Sequence, residues 1–250
     1  MNKHKCLLAV VFICFFSCAG TFGAFSSSSS SYHQASTART AKRYDARSVP
    51  QWWTQHGLNL CNDANEMLSL PCAMRLMEEH HDSPESISFV RENQAILQFF
   101  KPMGKVDLGS VVYPAPPDHG GRNSDWVILN GKPPLIYPAG PYLSKLALQP
   151  PYPKIFQHYP HILGKGFSAG TFERMKRLAN GGQSFIFQCY VLEAECCPIP
   201  YEVRIAYDFS RNGVFMGSRL LGPCFNPKLG NRVPGLRIPI CPAAYPAPYK

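Results

Sequence analysis

The sequence predicts an α+β fold in which helices pack on an antiparallel sheet and disulfides stabilise the packing. Three observations support this prediction. Helical spacing dominates residues 58–100, period-two alternation marks residues 201–209, and ten cysteines occur in a chain of 250 residues. The 24 prolines indicate that extended connections are frequent and that long helices are few.

The first 23 residues have the three parts of a secretory signal peptide: a basic start, an apolar run of about ten residues and a stretch of small residues. Cleavage is expected after Ala19 or after Gly23, unless Cys18 becomes a lipidated N-terminus. The apolar run is shorter than the roughly 20 residues of a membrane-spanning helix. We therefore expect an exported protein of the periplasm, the outer envelope or the extracellular space, with no transmembrane helix in the mature chain.

Composition divides the rest of the chain into segments. Residues 24–49 are Ser-rich and basic, and they predict a disordered linker because they cannot bury enough apolar surface to fold. After the linker we expect a helical segment with a first β-hairpin (50–137), a Pro-rich connector (138–160), a Cys-rich helix and antiparallel hairpin (161–241) and a Pro-rich tail (242–250).

Two helices are expected before the first strands. The second begins at Ser83, since Ser is a good N-cap, Pro84 is tolerated at the first helical position and an acid follows in the first turn. Helical spacing continues from there to Leu97. The first helix is expected across residues 63–79, with a restart at a proline.

Strand-like patterns follow the helices. Residues 106–113 and 125–129 are expected to form strands, and Asn130-Gly131 predicts a type I′ turn into an edge strand at 133–137. Residues 168–180 predict a helix, because their apolar residues recur at helical spacing and a pair of glycines would end it.

The sharpest structural prediction is an antiparallel hairpin of residues 201–209 and 214–221, half exposed. Its turn at Asn212-Gly213 requires a positive φ at the glycine. The core side of the first strand should carry Val203, Ile205 and Tyr207, and the other side Glu202, Arg204 and Asp208. A register slip by one residue would bury those charges, so the register should be specific.

Seven cysteines remain after signal cleavage, namely Cys61, Cys72, Cys189, Cys196, Cys197, Cys224 and Cys241. Because the number is odd, at least one lacks an intramolecular partner, and an oligomer could form through it. The simplest arrangement pairs Cys61 with Cys72 and bridges at least two of the other five. A bridge between neighbouring Cys196 and Cys197 would strain the peptide, so they should have different partners. The sequence has no Cys-x-x-Cys, so we expect no metal site, and no cofactor signature is present.

The most function-like segment is the loop that holds Asp118, His119 and Asp125. Loops often carry functional sites, and two carboxylates that face each other across a cleft can cleave a glycosidic bond. The interpretation that we prefer is a polar turn between two strands. Signatures of cysteine proteases, serine hydrolases and nucleotide-binding loops are missing from the sequence, so a non-catalytic role is favoured over an enzymatic one.

The chain is basic, with 25 Lys and Arg against 16 Asp and Glu and a net charge of +9. The basic residues occur singly and not in clusters, which argues against nucleic acid as a partner. After Asp208 six cations and no acid remain, and we expect them to pair with the acidic N-terminal half; the alternative is a face for an anionic partner. The sequence thus favours an exported interaction or structural protein that binds a protein or an anionic envelope component. A small secreted hydrolase is the rival hypothesis.

Overall fold

The computed structural model describes residues 43–50, 60–61, 68–114, 123–138, 146, 148–159, 170–193 and 197–244. Its helices are α1 (Leu70–Glu79), α2 (Pro84–Asn93) and α3 (Tyr152–His158). Its strands are β1 (Ile96–Lys101), β2 (Asp107–Tyr113), β3 (Asn123–Leu129), β4 (Leu135–Ile136), β5 (Thr171–Arg177), β6 (Gln183–Glu193), β7 (Cys197–Phe209) and β8 (Phe215–Phe225). The predicted signal peptide lies outside the described residues.

The strands form two four-stranded antiparallel sheets, each a simple meander in chain order. The first sheet runs β1-β2-β3-β4 and the second β5-β6-β7-β8. The predicted α+β class with an antiparallel sheet is confirmed at this level, although the described part of the chain has two sheets where one was expected.

The main core lies between the two sheets. Trp126 of the first sheet contacts Phe172 of the second, with ring centroids 5.9 Å apart. Its fully buried side chains include Leu108 and Ile128 of the first sheet, Val106 just before β2, and Phe185, Phe187, Val203 and Phe209 of the second sheet. A fully buried side chain contributes about 1.5–3 kcal/mol through removal of apolar surface from water, so this layer supplies much of the stability.

A buried glutamine fixes the two sheets to each other at one end. The side-chain oxygen of Gln183 accepts hydrogen bonds from the backbone N–H groups of Lys105 and Val106, at 3.0 and 2.9 Å. Its amide nitrogen donates to the carbonyls of Met103 and Val106. The side chain of Gln183 thus satisfies backbone groups of the β1–β2 turn that the sheet leaves unpaired.

Helices α1 and α2 belong to the layer on the other side of the first sheet. Helix α2 begins where the sequence predicts, with the Ser83 side chain accepting a hydrogen bond from the Ser86 N–H. It ends earlier than expected, because Gln94 adopts a left-handed conformation with φ of 53° and β1 starts at Ile96. The helix that this spacing predicts as far as Leu97 is therefore wrong beyond Asn93.

Residues 43–49, which the sequence assigns to the disordered linker, are packed on the fold. The Tyr44 ring meets the Phe89 ring edge-on at 4.9 Å. The backbone N–H of Tyr44 donates to Asn130 Oδ1 at 2.7 Å. In return, Asn130 Nδ2 donates to the backbone carbonyl of Tyr44 at 2.8 Å. This reciprocal pair orders a segment whose composition alone indicates disorder.

The helix predicted at residues 168–180 is wrong, because residues 171–177 form strand β5. A bulge between Phe172 and Arg174 inserts one residue into the strand. Phe172 and Met175 are therefore three positions apart although both pack on the main core, and this spacing imitates a helix. In the Pro-rich connector the structure has helix α3, which buries Tyr152 and Ile155.

The predicted hairpin of β7 and β8 is confirmed. The strands pair antiparallel, with Tyr207 opposite Ser218, and Gly213 in the turn has φ of 77°. Val203, Ile205 and Tyr207 are buried on the core side, as predicted. The outer face is less exposed than expected, because Glu202 is buried beside the segment that follows β8.

Candidate functional site

Of the predicted site residues, Asp118 and His119 lie outside the described residues, and Asp125 lies in β3. Asp125 is half-buried, and its Oδ2 accepts a hydrogen bond of 2.9 Å from the Tyr113 hydroxyl of neighbouring β2. Burial raises the pKa of Asp125 above its ordinary value. Burial also raises the pKa of Tyr113, and it raises that of nearby Tyr137 to about 12. Asp125 can therefore keep its proton at a higher pH than a solvated aspartate can.

A second polar group lies on the outer face of the second sheet, around Glu173. Arg204 donates two hydrogen bonds to this carboxylate, at 2.7 and 2.9 Å, and Gln188 donates a third at 3.2 Å. Burial alone would raise the pKa of Glu173, but the hydrogen bonds from Arg204 and Gln188 outweigh it and hold the pKa below its ordinary value. The carboxylate is therefore ionised and fully engaged, which is a structural role.

Gln188 also connects this group to the chain that follows β8. Its amide donates to the Pro242 carbonyl at 2.9 Å, and the N–H of Cys241 donates to the Phe225 carbonyl at 2.8 Å. A disulfide between Cys224 of β8 and Cys241 fixes the same segment covalently. The residues after β8 are thereby held against the sheet.

One group of potential metal ligands occurs in the described part of the chain. A carboxylate oxygen of Glu202 and the sulfurs of Cys224 and Cys241 lie within 4.8 Å of one another. Both sulfurs form the disulfide, and Asn226 donates to the carboxylate at 2.5 Å. Burial raises the pKa of Glu202. With the thiols oxidised, one carboxylate is left as a ligand, which is too few for a structural metal site.

The cysteines divide into bridged and unbridged ones. Cys61 is bonded to Cys72, which is the pair that the sequence favours, and Cys224 is bonded to Cys241. Cys189 is a free thiol with 1% of its surface exposed, and burial raises its pKa to about 12. This thiol is neutral and shielded, so it is a core residue and not a nucleophile. Cys196 lies outside the described residues, and the Cys197 side chain is not described.

The β1–β2, β3–β4, β5–β6 and β7–β8 turns meet at one end of the fold. Each turn, or the strand end beside it, carries an exposed cation: Lys105 between β1 and β2, Lys132 between β3 and β4, Arg177 at the end of β5 and Arg211 between β7 and β8. Arg43 joins them from the N-terminal segment. We call Arg43, Lys105, Lys132, Arg177 and Arg211 the basic end.

Contacts between the turns place Lys105, Lys132 and Arg211 on one surface. The N–H of Lys132 donates to the Gly213 carbonyl at 2.8 Å. A Cβ placed on Gly213 would lie 3.9 Å from the Lys105 Cβ, and one on Gly181 would lie 3.5 Å from the Arg211 Cδ. Turns that are far apart in sequence therefore bring their cations to the same place.

Two of the arginines converge on a single loop. The Arg43 guanidinium donates to the Gly104 carbonyl at 2.8 Å, and the Arg177 guanidinium donates to the Met103 carbonyl at 3.3 Å. A Cβ on Gly104 would lie 3.0 Å from Arg177 Nη2, so the glycine leaves room for the arginine. Both guanidinium groups are thus held close to Gly104.

The acids nearest to the basic end are already engaged. Asp107 is fully buried and accepts hydrogen bonds from the N–H groups of Met103 and Gly104, besides its contact with Arg43 at 3.4 Å. Asp208 pairs with Arg219 at 2.7 Å, and Asp45 pairs with Arg47 at 2.9 Å. Within the described residues, no carboxylate lies within 4.0 Å of the charged groups of the other four cations of the basic end.

Sequence reasoning missed this surface, because its members are isolated in the sequence. A signal was nevertheless present: most of these cations lie within three residues of a turn-forming Gly, Pro or Asn. The expectation that the C-terminal cations pair with the acidic N-terminal half receives no support from the described ion pairs, where Arg219 pairs with Asp208 of its own hairpin.

No family model, curated protein or solved structure matches the chain. The site is therefore interpreted from its geometry. In the part of the chain that the structure describes, no helix is long and apolar enough to span a membrane.

Proposed function

We propose that this chain is an exported, non-catalytic interaction protein of the cell envelope or the extracellular space, and that the basic end is its contact surface. The single observation that carries the proposal is the gathering of five exposed cations from four turn regions and the N-terminal segment, with the nearest acids already engaged in hydrogen bonds or ion pairs. Like charges on one surface repel each other, and an anionic partner removes that repulsion.

Export is supported by the signal-like N-terminus and by the two disulfides. Disulfides persist in oxidising compartments and are rare in the cytosol. Sequencing of the mature N-terminus should find a start between Cys18 and Phe25. An intact Met1 on protein isolated from the cytosol would contradict export.

The interaction role can be tested without knowledge of the partner. Purified mature protein is added to cell-envelope or extracellular-matrix material, and the retained fraction is measured while the salt concentration is raised. We expect retention at low salt and release at high salt, because exposed charges are screened over about 10 Å at 0.1 M. Absence of retention at every salt concentration would contradict the proposal.

A small secreted hydrolase is the second candidate, and the raised pKa of Asp125 beside Tyr113 is the observation that favours it. A carboxyl group whose pKa is raised by burial can act as a general acid. A broad hydrolase panel with the wild type and the Asp125→Asn variant tests this. Turnover that the substitution abolishes would favour the hydrolase over the interaction protein.

A further inference from the structure

We propose that the partner of the basic end is a linear acidic polysaccharide, with repeated carboxylate or sulfate groups along its chain. This inference rests on the proposed interaction function and names the class of partner for the same surface.

The arginine pair at Gly104 provides the first contact. A guanidinium group presents its N–H donors in a planar fork that matches a carboxylate or a sulfate. Arg43 and Arg177 are each held by a backbone carbonyl through one nitrogen, which leaves other N–H donors to bind a ligand. Because these side chains are already positioned, less conformational entropy is lost when an anion binds.

The arrangement of the other cations favours a polymer over a single small anion. Lys105 and Lys132 belong to turns of the first sheet, and Arg211 belongs to a turn of the second. A single carboxylate or sulfate that binds the arginine pair at Gly104 leaves Lys105, Lys132 and Arg211 without a counter-charge. A chain with repeated anionic groups can contact these cations as well.

The surroundings of the basic end disfavour nucleic acid. Proteins that bind single strands stack bases on exposed aromatic rings. Tyr44 and Phe209, two aromatic residues beside the turns, are buried in the core. Phe215, which follows the β7–β8 turn, packs against Phe209.

A membrane surface is also disfavoured. Proteins that lie on membranes insert a continuous apolar face beside their cations. Among the described residues, the exposed large hydrophobic side chains are Leu60, Leu148, Val214, Met216 and Ile240. Of these, Val214 lies in the β7–β8 turn and Met216 lies near the start of β8, so the exposed apolar surface beside the basic end is limited to two side chains.

The test uses two triple variants of the mature protein that lose the same charge. The first, Lys105→Gln/Lys132→Gln/Arg211→Gln, changes the basic end and leaves the hydrogen-bonded Arg43 and Arg177 in place. The control, Arg91→Gln/Lys228→Gln/Arg237→Gln, changes exposed cations near the opposite ends of the strands. Near-UV circular dichroism and melting temperatures confirm that both variants are folded.

Binding is measured to heparin, to polygalacturonate and to neutral dextran, with single-stranded DNA and vesicles of mixed anionic and zwitterionic lipid as further probes. A surface charge contact changes the dissociation constant by about fivefold, so the first variant should bind heparin or polygalacturonate about 100-fold more weakly. The control variant should bind these polysaccharides only a few fold more weakly than the wild type, and neutral dextran should not bind.

The outcomes separate this inference from the proposed function. If envelope material retains the protein through the basic end but neither acidic polysaccharide binds, the partner class is wrong and the interaction function stands. Tighter binding to vesicles or DNA than to both polysaccharides also overturns the inference. Equal losses in the two variants would show that net charge, and not this surface, determines binding. If nothing is retained, both proposals fail.

Discussion

The Glu173–Arg204 pair gives the most quantitative prediction about stability, through the variant Glu173→Gln. The Glu173 side chain is 1% exposed and that of Arg204 is 15% exposed. Gln keeps the shape of Glu but removes the charge, and it replaces one acceptor oxygen by an N–H₂ group that faces the donors of Arg204. The loss of charge-assisted hydrogen bonds and the unpaired arginine should together lower the free energy of unfolding by about 3 kcal/mol.

Urea denaturation monitored by tryptophan fluorescence measures this change, and thermal unfolding should show a drop of about 6–12 °C for a domain of this size. Arg204→Met and the double variant Glu173→Gln/Arg204→Met complete a double-mutant cycle. The double variant should lose less free energy of unfolding than the two single variants lose in sum. Glu85→Gln is the matched control, because its exposed contact with Arg47 at 3.5 Å should contribute below about 1 kcal/mol. A loss below about 1 kcal/mol for Glu173→Gln, or strict additivity with Arg204→Met, would refute the assigned role.

Three further predictions concern the turn, the disulfides and Asp125. Gly213→Val should destabilise the fold by about 1 kcal/mol or more, because φ is 77° and a Cβ would meet Val106 at 3.4 Å; unchanged urea denaturation would contradict this. Reduction should lower the melting temperature, since loss of a native bridge typically costs about 2–5 kcal/mol, and non-reducing peptide mapping should recover Cys61–Cys72 and Cys224–Cys241. The folded-state pKa of Asp125 lies above its unfolded value, so ionisation opposes folding as pH rises through that interval. Asp125→Asn should therefore stabilise the protein at neutral pH and have little effect below the unfolded pKa; an equal effect at both pH values would be inconsistent with this account.

Local signals predicted the elements that local physics determines. The start of α2 follows from a capping serine and a proline, and the β7–β8 hairpin follows from alternation and an Asn-Gly turn. The bridge between Cys61 and Cys72 follows from their isolation in the N-terminal half. Each of these predictions needs a few neighbouring residues and no knowledge of the tertiary fold.

The errors arise where a single residue changes the period. A bulge at Phe172 gives β5 the spacing of a helix, and Gln94 in a left-handed conformation ends α2 while helical spacing continues in the sequence. Neither change alters the composition of its segment, so a window-based pattern cannot detect it.

The basic end could not be predicted, because proximity between turns depends on the packing of two sheets. Lys105 and Arg211 are about a hundred residues apart in sequence, and their turns meet because Gln183 and the Lys132 backbone connect the sheets. The basic residues are scattered along the sequence, as the sequence analysis states, but folding gathers five of them on one surface.

Protection of lysines from an amine-acylating reagent tests the central claim most directly. The mature protein is labelled with and without saturating heparin, and modification is quantified for each lysine by mass spectrometry. The account predicts strong protection of Lys105 and Lys132 and little protection of Lys154 and Lys228, which are also exposed. Equal protection of all four lysines, or protection of Lys228 alone, would contradict the assignment of the contact surface to the basic end.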